Sequence, residues 1–188
     1  MSVRRPPTGV ILAGGASSRM GADKALIEVE GRPMAARVAD ALREAGCGPV
    51  FCQGGDNRLS AALGVEIAPD PEPGAGPVPA ILAALRRAGG PIVVAACDLV
   101  DLDAESVRAV IVAGDQSGVP VVAVCSGDDR PHLLSFWPED ALAPLQAALD
   151  QGLGAYRRVL DRLGAVTVHV ASSAVRNVNR PEDLASGR

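Results

Sequence analysis

Two cations and two carboxylates stand out by type and spacing. Arg19 and Lys24 lie five residues apart inside LAGGASSRMGADKA, which runs from Leu12 to Ala25. Asp98 closes the apolar run PIVVAACD, and Asp70 closes VEIAPD. Glycines such as Gly14 and Gly15 let backbone N–H groups approach phosphate oxygens without a Cβ in the way. Two cations beside such a turn match the charge of a triphosphate. A carboxylate held at the end of a buried strand suits a hard divalent cation bridging to phosphate. The competing reading is structural: a tight strand-to-helix turn with surface charges, and aspartates acting as caps or turn formers. For Asp70, in a proline-rich loop, the two readings stand level; for Asp98, fixed by its apolar strand, the metal reading leads.

Spacing excludes two other phosphate loops. The pattern G-x-x-x-x-G-K-[ST] fails because Gly15 and Gly21 are one residue too far apart and Lys24 is followed by Ala25. No glycines fall at the offsets of G-x-G-x-x-G either. Net charge is −4 and aromatic residues make up 2% of the 188 residues. That balance speaks against a general polyanion binder or a base-stacking platform, so no nucleic-acid partner is expected. Cysteines at 47, 52, 97 and 125 form no C-x-x-C pair and have no histidine cluster in the sequence. Reduced, buried thiols are the expectation, and zinc is not. No apolar run reaches membrane-spanning length, and the opening MSVRRPPTG leads into too short an apolar stretch for a signal peptide. A cytoplasmic protein without a membrane partner is expected.

The elements that must position these groups alternate. Strands are predicted at Gly9–Leu12, Pro49–Gln53, Val65–Pro69, Pro91–Cys97, Val119–Cys125, His132–Trp137 and Ala165–Val170. Helices are predicted over Pro33–Ala45, Pro77–Ala88, from Asp103 as N-cap, Pro138–Gln151 and Tyr156–Leu163. This order predicts an α/β fold, a three-layer Rossmann-like sandwich with a mostly parallel sheet. The two strands around Ser126–Pro131 are the place for an antiparallel departure. One nucleotidyltransferase domain over 1–188 is expected, with residues 1–7 as a flexible tail. Asp101 and Asp103 read as capping residues, Trp137 as packing, and His169 as a residue on the polar face of a strand. Gly74 and Gly76 precede a helix whose N-terminus could present amides to a ligand.

LAGGASSRMGADKA resembles the signature of the molybdenum cofactor guanylyltransferases, within the nucleotide-diphospho-sugar transferase type of nucleotidyltransferases. The Ala-Gly-Gly form is similar to the guanylyl rather than the cytidylyl branch, and NVNRPEDL at Asn177–Leu184 resembles the closing motif. The resemblance implies an enzyme that moves GMP from GTP onto molybdopterin, with Mg²⁺ as cofactor and pyrophosphate as second product. It implies nucleotide contacts at Leu12, Ala13, Gly14, Gly15, Lys24, Gln53, Asp70 and Asp98, with Asp98 also the metal ligand. Arg19, Lys24 and Asp98 are then the catalytic residues, and Asn177 and Asn179 candidates for the acceptor, although Asn179 also reads as a helix N-cap. Pro131-His132 matches a position near the acceptor loop, and Arg157 or Arg158 could meet the acceptor's phosphate. Molybdoenzyme apoproteins and other cofactor-biosynthesis proteins are the expected protein partners. Three positions depart from the family pattern: Gln53 for Asn, Pro79-Ala80 after Gly76-Pro77-Val78, and Leu99-Val100 after Asp98. A nucleotidyltransferase with another base or acceptor, and a nucleotide-binding regulatory paralogue without catalysis, remain the alternatives.

Overall fold

The computed structural model describes residues 5–14, 24–125 and 127–177. Seven strands form one sheet: β1 (Thr8–Leu12), β4 (Val50–Gln53), β5 (Glu66–Ala68), β6 (Ile92–Ala96), β7 (Val121–Cys125), β8 (Leu134–Trp137) and β9 (Val166–Val170). Their order is β5-β4-β1-β6-β8-β7-β9. All pairings are parallel except those of β8, which runs antiparallel to both β6 and β7. The antiparallel strand falls where the turn at Ser126–Pro131 suggested it. Because β8 reverses once on each side, β7 points the same way as β1 and β6. The carboxyl ends of β1, β4, β5, β6, β7 and β9 therefore share one edge.

Two helical layers cover the sheet. On one face lie α1 (Met34–Glu44), α2 (Arg58–Leu63) and α4 (Ala104–Ser117); on the other lie α3 (Pro77–Ala88), α5 (Leu142–Asp150) and α6 (Tyr156–Arg162). The period-two alternation of a strand divides the side chains between them. Ile11, Val93 and Ala95 join the first layer's core, whereas Val10, Ile92 and Val94 join the second. Every residue of β6 is buried, as expected of a strand covered on both faces.

Two elements are absent from the sequence reading. A two-stranded ribbon, β2 (Glu28–Val29) with β3 (Arg32–Pro33), turns through Glu30 at φ 53° and Gly31 at φ 76°. Those two positive angles define the tight hairpin turn that matches strand twist, and Gly31 supplies one at no steric cost. α2 is only six residues long. The helix expected over Pro138–Gln151 is divided: a 3-10 turn at Glu139–Ala141 leads into α5.

Candidate functional site

Leu12 ends β1 and pairs in register with Gln53 of β4 on one side and Ala96 of β6 on the other. The ladder continues one step beyond the strand. Ala13 N–H donates to Gln53 O (3.1 Å), and Cys97 N–H donates to Leu12 O (3.1 Å). The Ala13 amide is thus spent inside the sheet, so amides for a phosphate must come from Gly14 onward. Gly14 is exposed and turns away between the loops that follow β4 and β5. A Cβ on Gly14 would stand 2.5 Å from Asp70 Oδ2, and one on Gly54 would stand 2.9 Å from both Gly14 N and Cα. Close approach, rather than a positive φ, is what requires glycine at 14. Gly54 needs it twice, since its φ is +80°.

The central feature is an ion pair. Lys24 Nζ donates to Asp98 Oδ2 at 2.7 Å, with both side chains about five-sixths buried: 16% and 15% exposed. Lys24 begins a 3-10 turn, Lys24–Leu26, whose Ala25 is fully buried, so the cation is anchored from below. Asp98 follows β6 by two residues, and the next turn is packed tightly: Leu99 and Val100 are 0% and 2% exposed. Arg37 of α1 donates through Nε to Val100 O at 2.9 Å. Leu99-Val100, a departure from the family pattern, is thus absorbed as apolar packing, with Val100 against Val29 and Met34. Among the described residues, Asp98 Oδ1 is buried and has no hydrogen-bond partner. A buried carboxylate oxygen left without a donor is costly in the free protein and suits a cation.

Gln53 is 2% exposed. Its Nε2 donates to Pro69 O at 2.5 Å, which fixes the amide's orientation, and its Oε1 is buried without a partner among the described residues. Asp70 Oδ1 accepts from Glu72 N–H (3.1 Å), so the turn-forming role is realised while Oδ2 faces Gly14. The expected amide cradle at the start of α3 is thinner than foreseen. Pro77 and Pro79 occupy the first and third helical positions, and neither carries an N–H. Only Gly76 and Val78 remain to donate there. The buried Pro79-Ala80 packs with the core instead.

Asp103 caps α4 as expected, its Oδ1 accepting from Ser106 N–H at 2.7 Å. Asp101 is not a cap. Its Oδ2 accepts from Arg176 Nε (3.0 Å) and Nη2 (2.5 Å), because the chain returns after β9 along the loop that carries Asp98. Asn177 forms an antiparallel bridge with Leu99, one residue from Asp98. Arg176 was not singled out from the sequence; only its place immediately before NVNRPEDL pointed to it. Gly15, Arg19 and Asn179 lie outside the described residues. His169 is exposed on β9, Trp137 is fully buried, and Arg157 and Arg158 are exposed on α6. All four cysteines are buried and none is in a disulfide.

A mostly parallel sheet with a glycine turn, a lysine and an acidic strand end at one carboxyl edge is the layout of an α/β protein that binds its ligand at that edge. Residues 9–168 match the MobA-like NTP transferase domain. The chain belongs to that family. It is 33% identical to a probable molybdenum cofactor guanylyltransferase of Pelotomaculum thermopropionicum, covering 96% of this chain and 91% of that one. It is 32% identical to the molybdenum cofactor guanylyltransferase of Cereibacter sphaeroides, over 94% and 93% of the two chains. Among solved structures, molybdopterin-guanine dinucleotide biosynthesis protein A of Archaeoglobus fulgidus superposes with a TM-score of 0.74 at 26% identity, covering 95% of each chain.

Proposed function

We propose that this nucleotidyltransferase moves GMP from GTP to the terminal phosphate of molybdopterin cofactor, giving the guanine dinucleotide and pyrophosphate. The names of the full-length relatives support the substrates. The observation that carries the mechanism is the Lys24–Asp98 pair beside the glycine turn, with Asp98 Oδ1 left without a donor. In the free protein each charge neutralises the other. As the nucleotide enters, Lys24 exchanges the carboxylate for phosphate oxygens, joined by Arg19 and the amides from Gly14 and Gly15. Asp98 would then be the residue that holds Mg²⁺. When bound, the ion supplies neutralisation of charge at the phosphates. Leu12, Ala13, Gln53 and Asp70 line the nucleotide's remaining surface, and Asn177 and Asn179 are the residues assigned to the acceptor.

An oxygen of the acceptor's phosphate forms a bond to the α-phosphorus, and the bond from that phosphorus to the β-bridging oxygen breaks as pyrophosphate leaves. A phosphate monoester has its second pKa near 6, so at about neutral pH the acceptor is already mostly dianionic. No protein base need take a proton. Rate then comes from positioning and charge neutralisation by Lys24, Arg19 and the loop amides. We read the reaction as cytoplasmic, with product passing to molybdoenzyme apoproteins or other cofactor-biosynthesis proteins. Among the described residues no helix is long and apolar enough to cross a membrane.

GTP-dependent pyrophosphate release, with and without molybdopterin, tests this reading. Asp98→Asn and Lys24→Met should each lower the rate by roughly 10²–10³-fold, the usual cost of losing one group that stabilises transition-state charge. CTP, ATP and UTP should turn over more slowly than GTP. Undiminished release in Asp98→Asn, or preference for another base, would sink the proposal.

A further inference from the structure

The carboxyl end of β7 carries a cluster that the nucleotide site does not use. Cys125 Sγ lies 3.6 Å from His132 Nε2, and one ligand atom from each of Cys125, Asp128 and His132 falls within 4.8 Å of the others. The cysteine and the histidine lie seven positions apart in sequence. No short motif announces them; the reversal from β7 into β8 brings them together. We propose that these three side chains form a binding site for a borderline-soft divalent cation of the Zn²⁺ class, with water completing the coordination.

Geometry is the first argument. Zinc sits about 2.3 Å from thiolate sulfur and about 2.05 Å from imidazole nitrogen. Two such ligands at a tetrahedral angle are about 3.5 Å apart. The Cys125–His132 separation of 3.6 Å is that edge. A simple S–H···N hydrogen bond also explains the pair; the Asp128 carboxylate, within 4.8 Å of both, offers a third ligand atom.

Donor chemistry is the second. Thiolate, imidazole and carboxylate together carry two negative charges, matching a divalent ion, and sulfur with nitrogen favours zinc over magnesium. Burial holds His132 below its usual range; Asp128 opposes that shift and Arg130 reinforces it. A neutral imidazole is the form that ligates.

Preorganisation is the third. Asp128 N–H donates to Cys125 O (3.1 Å), Arg130 N–H to Asp128 Oδ1 (2.9 Å), and His132 N–H to Ala123 O (3.0 Å). Tyr156 Oη donates to His132 O at 3.3 Å. The backbone under all three ligands is thus fixed before any ion arrives. Asp128 keeps Oδ2 for the metal. On binding, the Cys125 thiol releases its proton to solvent, and the ion ties the β7–β8 turn shut at the edge of the sheet that also carries Asp98.

Titrating chelator-treated protein with Co²⁺ in excess Mg²⁺, so that hard-oxygen sites are filled, tests the site directly. One equivalent should give a thiolate-to-cobalt charge-transfer band and the intense d–d absorption of a four-coordinate ion. Cys125→Ser should abolish the charge-transfer band, while Cys47→Ser keeps it. His132→Ala and Asp128→Asn should each weaken Zn²⁺ binding, followed calorimetrically, by at least about tenfold. Far-UV circular dichroism checks each variant; should Cys125→Ser fail to fold, the partly exposed His132→Ala decides. Absence of saturable binding, a band that survives Cys125→Ser, or a folded His132→Ala that binds as tightly as the parent would overturn the proposal.

Discussion

Lys24 and Asp98 meet across 74 residues of sequence, yet each was legible from its own neighbourhood. Lys24 lay in a glycine-rich turn, and Asp98 ended a strand too apolar to be anything but buried. Gln53 was less legible, since nothing local separates it from other strand-end amides; only the family resemblance marked it. Burial with Oε1 unpartnered and Nε2 committed to Pro69 O now gives it a physical reading. In the proposed function this acceptor would take a donor from the nucleotide. Gln53→Leu should raise the KM for GTP by about ten- to a hundredfold, the worth of a buried hydrogen bond, with kcat nearly unchanged. Its folding stability should stay within about 1 kcal/mol of the parent, because the bond to Pro69 and the orphan oxygen vanish together. Steady-state kinetics beside urea unfolding distinguishes this from general damage, which would lower kcat and stability as well. Asp101 was misread because an aspartate two residues before a helix cap resembles part of the cap. Its partner Arg176 arrives from 75 residues away, which no local pattern reports.

At the scale of elements, the strands and longer helices followed from hydrophobic period, and the errors share a cause. The β2–β3 ribbon is two residues on each side, and α2 is a single turn and a half; neither is long enough to display a period. The turn Glu30-Gly31 also lacks the Asn-Gly or Asp-Gly pair that announces such hairpins. Gly114 shows the opposite case, a residue that weakens its element locally and is explained by packing. It lies inside α4, where glycine costs about 1 kcal/mol against alanine. A Cβ there would penetrate the Phe136 ring of β8, overlapping Cδ1 and Cγ and standing 2.7 Å from Cε1. The helix approaches the antiparallel strand as closely as it does because that position has no side chain. Gly114→Ala should therefore destabilise the fold by about 1–3 kcal/mol through overpacking, outweighing the gain in helix propensity. A denaturation midpoint at or above that of the parent would show that α4 can lift from β8 without cost.

The whole molecule is an aromatic-poor α/β sandwich whose core depends on aliphatic side chains and buried thiols, and this gives its stability an alkaline limit. Burial pushes the Cys47 thiol from 9.0 up to about 12. Tyr156, buried against Trp137, is likewise raised above its ordinary 10.0, against a smaller opposing contribution from Ser135. Below pH 9 the thiol is protonated in both folded and unfolded chains, and its contribution to stability is fully present. Above pH 9 the unfolded chain gives up that proton first, so it binds fewer protons than the folded one and stability falls as pH rises. The slope from one such group is at most about 1.4 kcal/mol per pH unit. Between pH 9 and 10 only Cys47 should contribute from this pair; above pH 10 Tyr156 adds a second slope of the same sign. Cys47→Ala lowers stability at every pH by leaving a small void, but should flatten the fall between pH 9 and 10 while leaving the steeper fall above it. Urea midpoints at half-unit steps from pH 8 to 11 read both slopes. If the parent and Cys47→Ala curves run parallel throughout, the thiol ionises as readily in the fold as outside it, and the packing around Cys47 admits water.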